Sequence, residues 1–202
     1  MAGSSESFKE RVHGLLRTSI LDAAWERASD ASWVHVRIAD IAEDVGVSRQ
    51  TVYNEFGTKD QLSMALFERE IERHMVGIED LVARADRLDA ALRSILNWLL
   101  SEADHHRLLK RMVTDSRAGG DVLVPVLTVR ADRIIKPVRA RLVEIVRGRW
   151  PDLRVDEATI ASDLLVRFVL SQIVCPSDLD RSSLIEAMVG MAVGLQIPET
   201  AR

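Results

Sequence analysis

Apolar residues along this chain recur at every third or fourth position with little to interrupt them, for its 202 residues include only 5 Pro and 10 Gly. Such spacing lines the apolar side chains along one face of successive helices. A chain so poor in turn formers does not supply the many tight reversals of a sandwich or barrel. The pattern predicts an all-α fold of about nine helices. At 47% hydrophobic residues, the chain can bury one substantial core, or a small domain joined to a larger one.

The first amphipathic face is Phe8, Val12, Leu15, Leu16, Ile20 and Ala23, predicting a helix over 7–28 and then a loop through Asp30, Ala31 and Ser32. Ile38, Ile41, Ala42 and Val45 mark a short second helix stopped by Gly46. Ser48 offers a hydroxyl to cap a third helix running to about Glu55. Gly57 ends that helix, and Thr58 with Gln61 reads as a capping box for a long fourth helix extending to about Arg84. Apolar-periodic segments near 88–102, 105–117, 121–149, 155–174 and 180–196 complete the set. Pro137 removes a helical hydrogen bond, so the segment over 121–149 is expected to kink or split there.

Several function classes drop out on composition. The single cysteine, Cys175, cannot close an intramolecular disulfide, and no Cys/His cluster has zinc spacing. The adjacent His105 and His106 diverge by about 100° on a helix and do not chelate one ion, so no metal site is expected. The first residues lack the charged start and apolar core of a signal peptide, and no apolar run approaches the ~20 residues of a membrane span, which points to the cytoplasm. No nucleophile and base stand in a catalytic pattern and no glycine-rich loop cradles a phosphate. The reading is therefore a non-enzyme without a cofactor.

The most informative stretch runs from Arg37 to Leu62. Ile38, Ile41, Ala42, Val47 and Val52 can brace two short helices at a steep angle, Ala42 is small enough to let them approach, and Gly46 tolerates the positive φ of the turn. With Val47, Val52 and Phe56 inward, the third helix turns Ser48, Arg49, Gln50, Thr51, Tyr53 and Asn54 outward. Gln and Asn suit an adenine edge, Arg suits guanine N7 and O6, a Thr methyl can touch thymine, and Ser and Tyr hydroxyls suit phosphate oxygens. Charge argues the other way. The chain carries −4 overall, and residues 1–60 hold seven basic against ten acidic side chains. DNA affinity must then come from where the cations point.

Ile41-Ala42, Gly46-Val47-Ser48, Tyr53, Phe56, Lys59, Asp60 and Leu62 together resemble the DNA-binding domain of the TetR family of bacterial repressors, over about residues 10–65. The resemblance implies base contacts from Arg49, Gln50, Thr51 and Asn54, and phosphate contacts from Ser48, Tyr53 and Lys59. Arg37 stands where family members often place a Thr, adding a longer cation to the DNA-binding set. Glu55, in a slot often basic or polar, would repel phosphate if it faced the groove.

The expected organisation is a helix-turn-helix domain over 1–57 and a ligand-binding and dimerisation domain over 58–202. The partners are a double-stranded, pseudo-palindromic operator, a second copy of the chain docked through the last two helices, and a small effector of aliphatic or lipid-like character. Met64, Phe67, Leu96, Trp98, Leu99 and Met112 are the candidate effector contacts, with Arg107, Arg111 or Arg130 for an anionic head. The rival reading is a helical structural or interaction dimer that touches no DNA. Arg167, alone in an apolar run, is either a snorkelling edge residue or one paired at a subunit interface or in a pocket.

Overall fold

A computed structural model of the chain describes residues 8–106, 110 and 132–194. Eight helices and no strand lie among the described residues: α1 Phe8–Asp30, α2 Ile38–Val45, α3 Arg49–Phe56, α4 Lys59–Arg84, α5 Leu88–His105, α6 Asp132–Arg149, α7 Val155–Val174 and α8 Arg181–Val193. Most of the segment expected as a further helix, 105–117, lies outside the described residues. The chain divides into two compact units, 1–70 and 71–202, and α4 runs from the first into the second.

In the first unit, Ile20, Ala24, Ile41, Val52 and Leu62 are all but inaccessible, and Trp33, Val36, Ile38 and Phe56 close the core around them. Burying one such aliphatic side chain is worth roughly 1.5–3 kcal/mol. That matters most for α2 and α3, which have eight residues each. Helices of two turns have no stability of their own in water, so the core sets their angle. The stripe expected on α1 holds only in part, since Val12 and Leu15 near its start are 47% and 69% exposed. The buried face begins at Ile20, where α1 starts to pack against α2.

The restart after α3 follows the predicted capping box in both directions. Thr58 N donates to Gln61 Oε1 at 2.8 Å, and Gln61 N donates to Thr58 Oγ1 at 3.1 Å. Gly57 has φ +78°, and a Cβ there would also meet Gln61 Oε1. Only glycine satisfies both demands.

In the second unit four helices each present an apolar ridge: Met75, Ile78 and Val82 on α4, Leu92, Ile95 and Leu96 on α5, Val138, Leu142 and Val146 on α6, and Ile185, Met188 and Val189 on α8. Gly77 on α4 lets the Trp98 ring of α5 lie against the backbone, since a Cβ there would collide with Trp98 Cη2. Ion pairs lace the helix edges: Arg93 Nε to Glu186 Oε1 at 2.5 Å, Arg181 to Asp104 at 2.6 Å, and Arg139 to Asp163 at 2.9 Å. Pro137 does not split α6, which continues through it to Arg149. The position is early in the described helix and Pro137 itself is exposed, where a missing helical hydrogen bond is tolerated better than in a buried interior. Arg167 donates to Asp163 at 2.5 Å one turn back on its own helix, while 59% of its side chain stays exposed. No helix among the described residues is long and apolar enough to cross a membrane.

Candidate nucleic-acid interface

The turn between α2 and α3 is built from backbone outward. Gly46 has φ +75°, its N–H donates to Glu43 O at 3.1 Å, and the N–H of Val47 donates to Ala42 O at 2.9 Å. This paired closure is a Schellman motif, which requires a left-handed residue at Gly46 and satisfies two carbonyls that α2 leaves open. Two residues later Ser48, with extended backbone, accepts the N–H of Thr51 on its Oγ at 3.0 Å and so starts α3 where the sequence predicts. The same hydroxyl lies 2.9 Å from Thr51 Oγ1.

With Val52 and Phe56 buried, α3 exposes Arg49, Gln50, Tyr53 and Asn54, while Thr51 is half-buried. Gln50 Nε2 donates to Asn54 Oδ1 at 2.9 Å. That bond fixes the two amides as one plate, leaving Gln50 Oε1, its second amide hydrogen and the Asn54 amide hydrogens for base edges. Arg49 is exposed and forms no ion pair among the described residues.

Two expected cations are committed elsewhere. Arg37 grips Asp40 with both arms, Nη2 to Oδ1 at 2.8 Å and Nε to Oδ2 at 3.0 Å, and this holds the Asp40 carboxyl below its usual range. Lys59 Nζ donates to Val34 O at 3.2 Å and sits 5.3 Å above the Trp33 ring, with its pKa lowered by burial. One of its three hydrogens is therefore spent within the protein. Arg27 is likewise tied to Asp44 at 2.6 Å. Glu55 is turned toward α1: its side chain is 11% exposed, with Oε2 2.8 Å from His13 Nε2. Of these partners only Asp40 was within local reach of the sequence pattern; His13 and Arg27 meet α3 and α2 across long stretches of chain, which no spacing rule exposes.

A profile described as "Bacterial Tetracyclin repressor, C-terminal domain" matches residues 87–192, more than half of the chain, and "Bacterial regulatory proteins, tetR family" matches residues 20–66. The chain belongs to the TetR family. It is thus a DNA-binding transcriptional regulator, and the helical dimer without DNA contact gives way. The chain is 26% identical over 174 residues to the HTH-type transcriptional regulator AlkX of Mycobacterium tuberculosis, covering 86% of this chain and 82% of that protein. Its fold is similar to that of the TetR family repressor AlkX from Dietzia sp. strain DQ12-45-1b, implicated in biodegradation of n-alkanes, with TM-score 0.73, 24% identity, and coverage of 87% and 94% of the two chains. Thermus thermophilus FadR, solved in complex with lauroyl-CoA, matches with TM-score 0.61 at 20% identity, covering 92% and 98%.

The candidate effector contacts of this TetR-family chain fall in both units. Met64 and Phe67 are half-buried in the first. In the second, Leu96 is 1% exposed and packs in a cluster with Leu92, Leu100, Ile185 and Met188, a core position on α5 facing α8. Trp98 and Leu99 are half-buried, and the Trp98 ring lies 5.4 Å from the His74 imidazole, which is itself 6.4 Å from His106. Met112, Arg107, Arg111 and Arg130 lie outside the described residues. Among the described residues no group of three or more His, Cys, Asp or Glu is placed to hold a metal ion.

Proposed function

We propose that the chain represses transcription as a homodimer on a pseudo-palindromic operator and leaves that operator when a small lipid-like effector binds. The reading is carried by one observation, the serine-capped polar face of α3, set in a TetR-family frame. On this reading Gln50 and Asn54 take adenine edges, Arg49 takes guanine N7 and O6, and Thr51 meets a thymine methyl. Ser48, Tyr53 and Lys59 hold phosphates, and Arg37 joins them on release from Asp40.

Residues 1–57 act as the DNA-reading domain and residues 58–202 as the effector-binding and dimerisation domain. Two-fold symmetry sets the recognition helices about 34 Å apart, one DNA turn, and the last two helices supply the contact between protomers. Exposed Ile160 and Leu164 on α7 and Met191 and Val193 on α8 support that use. The lipid-like effector draws support from the lauroyl-CoA of Thermus FadR and from the n-alkane connection of Dietzia AlkX. The apolar candidates Met64, Phe67, Leu96, Trp98, Leu99 and Met112 suit the same chemistry. An effector that prefers the conformation with displaced recognition helices lowers operator affinity by population shift, and α4, continuous from Lys59 to Arg84, is the element that carries it. The chain performs no catalysis, needs no cofactor, and works in the cytoplasm where its operator lies.

The test is binding of the purified protein to DNA flanking its own gene, at several salt concentrations, against a shuffled duplex. Preference for the native duplex that collapses in Gln50→Ala sustains the reading; indifference to sequence removes it. Calorimetric titration with lauroyl-CoA then tests the effector, and no heat together with unchanged DNA binding rejects a fatty-acyl ligand.

A further inference from the structure

The recognition helix is eight residues long, and its C-terminal end is held by α1. The Arg17 guanidinium carbon lies 4.2 Å from the Phe56 ring centroid, and Arg17 Nη1 donates to the backbone carbonyl of Glu55 at 3.0 Å. The carboxylate of the same Glu55 is 11% exposed and its Oε2 lies 2.8 Å from His13 Nε2, a close approach without hydrogen-bond alignment; this buried oxygen receives no aligned hydrogen bond from any group. One turn of α1, from His13 to Arg17, thus meets the last turn of α3 at a ring, a main-chain carbonyl and a carboxylate.

From this juxtaposition we infer that Arg17 and His13 are positioning residues for operator reading, fixing the angle at which α3 enters the major groove. A two-turn helix cannot hold its own direction. Its N-terminal end is fixed by the Ser48 cap and the Gly46 turn, while beyond Phe56 the chain turns away at Gly57, which has φ +78°. Arg17 closes that free end. A cation beside the final carbonyls also complements the helix dipole, and the flat guanidinium stacks on the ring while its edge donates. His13 covers the Glu55 carboxylate on the α1 side, so the one acidic group on α3 is withdrawn from the DNA face.

The inference rests on α3 being the element that reads DNA, so the experiment carries Gln50→Ala as a control on that premise. Operator and shuffled duplexes are titrated with wild type, Arg17→Met, Arg17→Lys and Glu55→Gln by fluorescence anisotropy over a range of salt, with helix content checked by circular dichroism. The expected result for Arg17→Met is a loss of operator affinity of about tenfold, with affinity for the shuffled duplex and the salt slope both unchanged. Arg17→Lys keeps charge and ring contact but not the fork, and recovers part of the loss. Glu55→Gln leaves operator affinity the same or lower.

Four results overturn the inference. A salt slope that becomes shallower in Arg17→Met, by about 0.9 for each phosphate no longer neutralised, makes Arg17 a phosphate ligand. Equal loss on both duplexes with reduced helix content makes it a general stability residue. Stronger binding by Glu55→Gln means the carboxylate faces DNA. Unchanged binding by Arg17→Met, while Gln50→Ala collapses, leaves the reading of α3 standing and removes the positioning role; if Gln50→Ala also binds as wild type, the premise itself fails.

Discussion

Replacing Asp40 by Asn should steepen the salt dependence of operator binding. In the free protein Arg37 is closed onto Asp40 by two hydrogen bonds, and Arg27 is closed onto Asp44. If those pairs persist on DNA, each protomer brings one cation to phosphate, Lys59 with the hydrogens it has not given to Val34, Arg49 being assigned to a guanine edge. A dimer then neutralises about two phosphates, for which counterion release gives a slope of log affinity against log salt of about −1.8. Affinity falls about 12-fold between about 50 and 200 mM salt, where a protein gripping roughly six to ten phosphates loses about 10³–10⁵. Asp40→Asn removes the ionic partner and frees Arg37 in both protomers, so the slope moves to about −3.6 and the same salt step costs about 150-fold.

The assay is anisotropy of a labelled operator duplex over that salt range. Asp80→Asn, which changes charge equally at an α4 pair, serves as the control for bulk charge. A wild-type slope of about −5 or steeper would show that the internal pairs open on DNA. An Asp40→Asn slope equal to wild type would show that Arg37, even when free, does not reach phosphate, and would strike it from the interface.

Three further outcomes are expected. Because Gln50 and Asn54 are joined by a 2.9 Å bond, Gln50→Ala and Asn54→Ala should be non-additive in operator affinity, with a double-mutant coupling of about 0.5 kcal/mol or more; additive losses would mean the amides read bases independently. Gly77→Ala should lower the melting midpoint, since the gain of up to about 1 kcal/mol in helix propensity is smaller than the roughly 1–3 kcal/mol of overpacking against Trp98, and Trp98→Phe in the same chain should recover part of it. Asp44, Asp104, Asp163 and Glu186 are each held below the ordinary carboxylate range by a partnering arginine. Their ionised forms are favoured by folding, so the melting midpoint should be flat from about pH 7 to 5 and fall below about pH 4, as the carboxylates protonate through their lowered values. Asp163→Asn should make that acid fall shallower.

Local grammar made much of this fold readable. The Gly46 turn, the Ser48 cap, the Thr58–Gln61 box and the end of α4 at Arg84 each depend on residues within a few positions of one another, and periodicity located α7 to its terminal residues. Two features depart from the pattern for identifiable reasons. Val12 and Leu15 continue the apolar spacing of α1 but precede the stretch that packs on α2, so periodicity could not report that they are exposed. Pro137 reads as a breaker, yet near the start of the described helix and open to water it is tolerated. The outward face of α3 was legible because an exposed face is the complement of a buried one. Which cations were free was not, because His13, Arg17 and Arg27 find their partners far along the chain.

The acidic balance of the DNA-reading half then becomes part of the mechanism. Non-specific DNA affinity is almost wholly electrostatic, whereas base reading by amides and hydroxyls survives with little net charge. If the Arg27 and Arg37 pairs stay closed on DNA, they remove more from binding to random sequence than from binding to an operator, and raise the ratio between them. The absolute affinity is lower as a result. A coupling free energy of about 1–3 kcal/mol from an effector, the usual allosteric range, amounts to roughly a 5- to 150-fold loss. Applied to an operator complex of moderate affinity, that loss suffices to empty the site, where a complex gripping about ten phosphates would remain bound. With the pairs closed, internal neutralisation of the reading domain is expected to hold operator affinity within the range that a modest effector can reverse.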